Sequence, residues 1–326
     1  MLRTADAGGG PTERNEQRHF WILDERGVWY KDACKAARRY GYTPWAIARG
    51  RDVTWHSPGS VGFIRPHADW RRLPRNKTVD WPHMASQLLM VQDAGQVEVY
   101  EDKSEQFRRW GHLMPPTWRF GELEHAMAFL AEAPWPLVSK ADVGASSVNV
   151  RILQNRPEAE AHLRQIFGEG IPVNHGAEKA PKTLQKDYAL LQKFIPHRVT
   201  WRVNAIGAAR AIFMRYCYPD RPVAQTGNVE PVMRMKGHEG LLDYANRVFA
   251  EIGTKWCALD ILQDGNEWKL LETSLAWPWP SPGRCNEAPI FGSSRTWLQI
   301  WDAMFEQIAA GAFGSGASSA APSSST

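Results

Sequence analysis

Residues 258–274 read ALDILQDGNEWKLLETS, two apolar arms around Asp264-Gly265-Asn266, which is the pattern of a β-hairpin. Each arm carries one acid, Asp260 in the first and Glu272 in the second. Side chains alternate along a strand, so the length of the turn decides whether the two carboxylates share a face. A two-residue Asp-Gly turn sends them to opposite faces. A three-residue Asp-Gly-Asn turn places them on one face as diagonal neighbours, with Cα atoms roughly 7–8 Å apart, where both reach a shared pair of divalent ions and Ser274 continues the face. The plain alternative is two solvent-facing acids on an exposed sheet. Buried among residues as apolar as ALDIL and LLET, either acid needs a metal or a cation to offset its desolvation.

Working back from the hairpin, residues 188–195 (YALLQKFI), 199–207 (VTWRVNAIG) and 208–218 (AARAIFMRYCY) are three β-rich runs with short turns between them, and a helix is expected over 238–252. Arg202 and Arg215 fall on consecutive strands, and an arginine flanked by apolar residues is more often paired or functional than idle. Gln192-Lys193-Phe194-Ile195 ends one run at Pro196, and the end of an apolar strand offers backbone donors and acceptors to an adenine edge. Earlier still, PLVSKADVGASSVNV (136–150) places Lys140 at the end of an apolar strand, just before a small-residue loop with Gly144, Ser146 and Ser147. Such a loop lets main-chain N–H groups approach an anion, as in a phosphate cradle, or is a β-turn beside an exposed lysine. It is not a P-loop, because the lysine precedes the loop. Lys103 heads the helix DKSEQFRRWGHL (102–113); a lysine at a positive helix end is normally a solvated one.

The segment before residue 96 reads differently. HFWILD (19–24), VWYKDACKAARRYG (28–41) and TPWAIAR (43–49) form a strand–helix–strand unit, followed by a strand near Val61–Arg65, a helix over Asp80–Gln92 and the strand QVEVY (96–100). The first turn, Asp24-Glu25-Arg26-Gly27, lacks the glycine fingerprint of a dinucleotide site. Residues 168–185 are a breaker-rich linker, and a last amphipathic helix covers 294–310. The polar residues 1–17 and the Gly/Ala/Ser/Pro run 313–326 are expected to be disordered.

The whole chain has 326 residues, of which 43% are hydrophobic, with 39 Lys+Arg against 35 Asp+Glu and a formal charge of +4. The basic residues are interleaved with acids, so nucleic-acid binding is not indicated. No stretch approaches the roughly 20 apolar residues of a membrane span, the N-terminus is polar, and a cytoplasmic location is the expectation. Four cysteines, Cys34, Cys217, Cys257 and Cys285, show neither CxxC pairs nor metal spacing, and read as reduced thiols. Sixteen tryptophans are an unusual number; those at Trp277 and Trp279 lie in WPWPSPGR (277–284), a packing loop or a substrate-recognition segment with Arg284 as carboxylate ligand.

Taken in chain order, these pieces resemble the ATP-grasp superfamily, the carboxylate–amine and carboxylate–thiol ligases that include D-alanine ligase, glutathione synthetase and the ribosomal-protein glutamate ligases. The likeness covers about residues 96–310. Asp102-Lys103 with its helix and Pro115-Pro116-Thr117 is similar to the family's Asn/Asp-Lys helix and Pro-x-Thr strand. PLVSKADVGASSVNV resembles its lysine strand and flexible glycine loop, LLQKFIPH its adenine hinge, TWRVNAIG its D-x-R-V-x-V-x-G strand, IFMRYCY the strand with a phosphate-binding basic residue, and the hairpin its G-x-D-x-x…E-x-N metal motif.

The resemblance implies an α+β ATP-grasp fold, with two α+β lobes (96–185 and 186–312) clasping a nucleotide and preceded by a small α/β domain (18–95). It implies ATP and Mg2+ as cofactors. Lys103 and Lys140 would meet the nucleotide phosphates, with the loop of Gly144, Ser146 and Ser147 closing over them, and Gln192, Lys193 and Ile195 would lie at the adenine. Arg215 would approach the transferred phosphate, Arg202 a phosphate or the substrate, and Asp260, Glu272 and Ser274 the magnesium. These charged side chains are then expected to converge on one cleft. Four positions depart from the family: Ser274 replaces the usual Asn, Ala141 the proline after the lysine, Pro196-His197-Arg198 offers no acid for the ribose, and Thr200-Trp201 stands where an acid often precedes the arginine. The activity implied is ATP-dependent ligation of a small-molecule or peptide carboxylate to an amine (or thiol) through an acyl-phosphate, in a possible homo-oligomer. The rival readings are a non-catalytic nucleotide-binding or structural protein, and ATP-dependent phosphorylation without ligation.

Overall fold

The run Phe20-Trp21-Ile22 is apolar on both sides of the chain, as a strand covered on both faces requires. In a computed structural model, which describes residues 18–24, 30–46, 59–65, 81–99, 102–141, 149–173, 183–217, 224–275, 290–291 and 300–313, this run is β1 (His19–Asp24). It pairs in parallel with β2 (Thr43–Ala46) and β3 (Val61–Arg65), and β3 with β4 (Leu89–Met90), in the order β2-β1-β3-β4. Helix α1 (Tyr30–Arg39) lies between β1 and β2 in the chain, and Gly41 turns the backbone at φ 77° directly after it.

Two expectations for this region fail locally. The helix expected over 80–92 is the shorter α2 (Trp81–Gln87), after which Leu89 N–H donates to Ser60 O (3.0 Å) and Val91 N–H to Gly62 O (3.0 Å), so the chain adds β4 to an open sheet edge. The strand expected at 96–100 is instead helix α3 (Ala94–Val99). Asp93 decides it: its side chain accepts from Gln96 N–H at 2.8 Å and its carbonyl from Val97 N–H at 3.2 Å, a capped first turn that outweighs the β preference of Val97 and Val99.

Asp102 likewise caps α4 (Lys103–Trp110), accepting from Glu105 N–H at 2.8 Å. Beyond it, β5 (Thr117–Phe120), β6 (Leu137–Lys140), β7 (Val150–Leu153) and β10 (Ala189–Lys193) form an antiparallel sheet ordered β5-β10-β6-β7. Helices α5 (Leu123–Phe129) and α6 (Arg156–Phe167) supply its core, where Leu137, Leu153, Leu163, Ile166 and Leu191 are buried together. Residues 168–185, expected to be a linker, hold the pair β8 (Ile171–Val173) and β9 (Thr183–Gln185).

The large sheet is antiparallel and ordered β13-β12-β11-β14-β15, from β11 (Val199–Ile206), β12 (Ala209–Cys217), β13 (Ala224–Pro231), β14 (Trp256–Asp264) and β15 (Glu267–Ser274), with β16 (Ile290–Phe291) on β12. Helix α7 (Glu239–Ile252) packs Leu241, Ala245, Val248 and Phe249 on one face, against Val203, Ala205, Ile212, Leu259 and Ile261. The opposite face is divided. Ile206, Ala211, Phe213, Trp256 and Ala258 share a single core with Phe20 and Phe63 of the parallel sheet and with Trp301, Met304 and Phe305 of α8 (Ile300–Ala309). The rest of that face carries charges.

The expected last helix begins at 294, but residues 292–299 lie outside the described residues, as do 1–17 and 314–326 of the expected tails. Among the described residues no helix is long and apolar enough to cross a membrane.

Candidate functional site

Reading the large sheet across its strands shows why the charges meet. Strand register sets Arg202 opposite both Phe213 and Asp260, and Asp260 opposite Glu272; Thr200 stands opposite Arg215. Directly paired residues point to the same face, and so do residues two apart, so Thr200, Arg202, Arg215, Asp260, Glu272 and Ser274 all project from one side. The hairpin achieves this by neither route foreseen from its sequence. Asp264 pairs with Glu267, so the turn is the two residues Gly265-Asn266, with Gly265 at φ 60° in the first central position, where a type II′ turn takes glycine. Ile261 pairs with Leu270 while Asp260 pairs with Glu272, leaving Leu271 as a one-residue bulge. The bulge restores the parity that a two-residue turn loses, and makes the acids direct rather than diagonal neighbours.

Asp260, 5% exposed, receives Arg202 Nη1 on Oδ1 and Oδ2 (3.0 and 2.9 Å) and Arg215 Nη1 on Oδ2 (2.8 Å). Burial raises its pKa, but the two guanidiniums prevail and hold the carboxyl below its ordinary value. Glu272 is paired with Lys103, Nζ to Oε2 at 3.7 Å. From the other sheet comes Lys140, whose ammonium is pushed down to about 8, chiefly by burial, and which feels the charges of Glu272, Lys103 and Asp260. Lys103, Lys140, Arg202, Arg215, Asp260 and Glu272 therefore form one cluster between the two antiparallel sheets. Four cations face two carboxylates, and the surplus positive charge suits a polyanion. Among the described residues, buried Arg215 Nε and Thr200 Oγ1 there have no partner.

Other expected residues are placed differently. The Gln192 side chain is buried and donates to Thr117 Oγ1 at 2.7 Å, tying β10 to β5 rather than joining the cluster. Lys193 N–H donates to Pro116 O (2.8 Å) and Phe194 N–H to Pro136 O (3.1 Å), while the Ile195 carbonyl lies 2.6 Å from His197 Nδ1. Burial lowers the His197 pKa, so the ring is neutral and its Nδ1–H donates to that carbonyl. An adenine at Ile195 O would compete with this ring. Gly144, Ser146, Ser147 and Arg284 lie outside the described residues.

One residue the sequence reading missed organises the cluster. Gln106, one turn along α4 from Lys103, is buried; its Nε2 donates to Thr273 O (3.1 Å) and to Val99 O (3.1 Å), and its Oε1 accepts from Thr273 N–H (2.8 Å). It thus bonds the free edge of β15 as a neighbouring strand would, at the residue between Glu272 and Ser274. The three-residue step from Lys103 to Gln106 on a capped helix is the signal that was there to be read.

No protein-family model matches the sequence, and no curated sequence matches it. Solved structures do. A RimK domain protein ATP-grasp from Sphaerobacter thermophilus is similar over 89% of this chain and 99% of its own, with 16% identity and a TM-score of 0.54. The chain has the ATP-grasp fold. Two more structures with that fold, the ATP-grasp ligase PsnB complexed with minimal precursor, Mg and ADP (12% identity, 90% and 98% covered, TM-score 0.57) and D-alanine–D-alanine ligase from Bacillus anthracis complexed with ATP (11%, 91% and 98%, 0.55), match along nearly their whole length.

Proposed function

We propose that the protein is an ATP-dependent carboxylate–amine (or thiol) ligase that binds Mg-ATP between its two antiparallel sheets. The observation that carries this reading is the cluster of four cations and two directly opposed carboxylates, with Arg215 Nε inside it lacking a partner among the described residues. Supporting it, structures with this fold have been captured with ATP, or with Mg, ADP and a precursor.

Lys103, Lys140 and Arg215 would bind phosphate oxygens, and Arg202 a phosphate or the substrate. A triphosphate drawing the guanidiniums away from Asp260 would free that carboxylate to ligate. The donor set fits magnesium only in company with phosphate: Asp260 and Glu272 give hard oxygens, whereas among the described residues no group of three or more His, Cys, Asp or Glu forms a cage of its own. When bound, magnesium would neutralise charge developing on the phosphate oxygens.

In the reaction a substrate carboxylate oxygen attacks the γ-phosphorus, the bond to the β-phosphate oxygen breaks and ADP leaves. The amine then attacks the acyl carbon of the acyl-phosphate, inorganic phosphate departs and the nitrogen loses a proton. The protein's part is positioning and charge stabilisation; no side chain acts as a covalent nucleophile. The test is Mg-ATP-dependent phosphate release screened against amino acids, amines and peptides, with Glu272→Ala as control. Equal release by both proteins removes the ligase reading. A second reading, nucleotide binding without turnover, is favoured by the grip of both arginines on Asp260 and by Ser274 at the usual Asn position; ATP binding with no ADP formed would select it.

A further inference from the structure

The charge cluster accounts for two rows of side chains across the large sheet, those of Arg215 and of Arg202; the next row holds an unexplained group. Asn204 lies two residues along β11 from Arg202, is 0% exposed, and among the described residues neither its Oδ1 nor its Nδ2 has a partner. Its register neighbours are Ala211 on β12 and Ala258 on β14, and Ala258 is followed across the sheet by Ser274 on β15. Methyl groups flank the carboxamide on both sides and offer it no hydrogen bond. The row stands one pleat, roughly 7 Å, from the row of Arg202, Asp260 and Glu272. An enclosed amide with nothing to bond is costly, and an apolar residue of the same size would fold better in its place.

We propose that Asn204 is a substrate-recognition residue, and that it binds a neutral amide of the substrate, such as the peptide bond of a short peptide or an amino-acid amide, beside the reacting carboxylate. The inference rests on the ligase reading and adds its substrate class. A carboxamide presents an acceptor and two donors, and an amide is the small group that answers both without bringing a charge. A cation is disfavoured there by the surplus positive charge next door, and an anion is served by the arginines, leaving Oδ1 unanswered. The small residues complete the argument. Ala211 and Ala258 are the smallest side chains the register could give Asn204 as neighbours, and Ser274 is shorter than the asparagine of the motif it resembles. The full enclosure of Asn204 also suits a reaction whose acyl-phosphate must be kept from water.

Thermal shift and calorimetry with Mg-AMPPNP, followed by a panel of glycylglycine, amino-acid amides, N-acetyl amino acids and simple carboxylates lacking an amide, test this on the full chain. The wild-type protein is expected to bind amide-bearing probes at least 10-fold more tightly than the matching simple carboxylates. Asn204→Leu is expected to lose that preference at least 10-fold, to bind Mg-AMPPNP as the wild type does, and to be no less stable without ligand. If Leu does not fold there, Asn204→Ala carries the same comparison. Equal binding of the amide probes by wild type and variant overturns the proposal, as does wild-type binding of Mg-AMPPNP with no amide preference. A crystal structure with probe showing only ordered water at Asn204 does so too. Failure of the wild type to bind Mg-AMPPNP is a different result, which overturns the ATP reading itself.

Discussion

At Asp260 two buried guanidiniums bond one buried carboxylate, whereas Glu272 is partly exposed, pairs with Lys103 at 3.7 Å and adds charge felt by Lys140 and Arg215, so removing the two acids has different consequences. Asp260→Asn leaves the buried Arg202 and Arg215 charged without the carboxylate they share, and is expected to cost about 3–5 kcal/mol in urea unfolding. Glu272→Gln removes the 3.7 Å ion pair of a partly exposed carboxylate with Lys103, and is expected to change stability by under about 1 kcal/mol while lowering Mg-ATP turnover. Similar stability losses for both would mean that Asp260 is not the hub. Lys140 gives a pH prediction. Its pKa is about 8 when folded against an ordinary 10.5, so between those values the unfolded chain holds more protons. Its burial therefore weakens the fold at neutral pH, and this penalty fades as pH rises from 8 to 10.5. A bound polyphosphate restores the proton. Calorimetry of Mg-AMPPNP binding at pH 8, in buffers of different ionisation heats, is expected to show uptake of about half a proton that Lys140→Met abolishes.

The elements explain how much of this could be read beforehand. Arg202, Arg215, Asp260 and Glu272 were legible because each sits in a run whose β period is strong, and their charges stand out from apolar neighbours. Their common face was not, since parity depends on the bulge at Leu271, and nothing in LLET marks which residue leaves the ladder. The strand expected at 96–100 failed for a related reason: a single capping side chain, Asp93, redirected a valine-rich segment into α3. Strand β13, whose sequence includes Gly227, carries no alternation to announce it, and was missed. Gln106 is the element-scale counterpart of the bulge, holding α4 on the edge of β15 so that Lys103 faces Glu272. Gln106→Leu strips Thr273 of partners for both its N–H and its C=O, an expected loss of about 2 kcal/mol. The Thr273 amide should exchange with deuterium faster, and the KM for ATP should rise at least tenfold, whereas Gln106→Glu, which keeps the acceptor, should be intermediate. Unchanged exchange at Thr273 would show that the edge needs no clamp.

At the scale of the molecule, cores rather than sheets decide what unfolds together. The sheet of β5, β6, β7 and β10 has its own apolar cluster with α5 and α6, while the parallel N-terminal sheet, the large sheet and α8 contribute to another in common. Within the common core Trp301 stacks on Trp256 at 5.9 Å, and Phe63 meets Trp301 edge-on at 5.0 Å. The Arg39 guanidinium bonds Asp302, fastening α1 to α8 over the same core. Chain ends far apart in sequence are thereby joined, so the N-terminal sheet has no reason to melt before the large sheet does. Trp301→Ala removes about 3–5 kcal/mol of packing, a large share of a typical stability of about 5–15 kcal/mol. Its effect should be confined to one cooperative unit. In denaturant-dependent hydrogen exchange, amides of β1, β3 and β11 are expected to lose protection together and earlier in Trp301→Ala, with those of β6 and β10 unmoved; Leu163→Ala should do the reverse. Loss of β1 protection ahead of β11 would show that the N-terminal sheet is a separate body, and the charge cluster would then owe its geometry to the two antiparallel sheets alone.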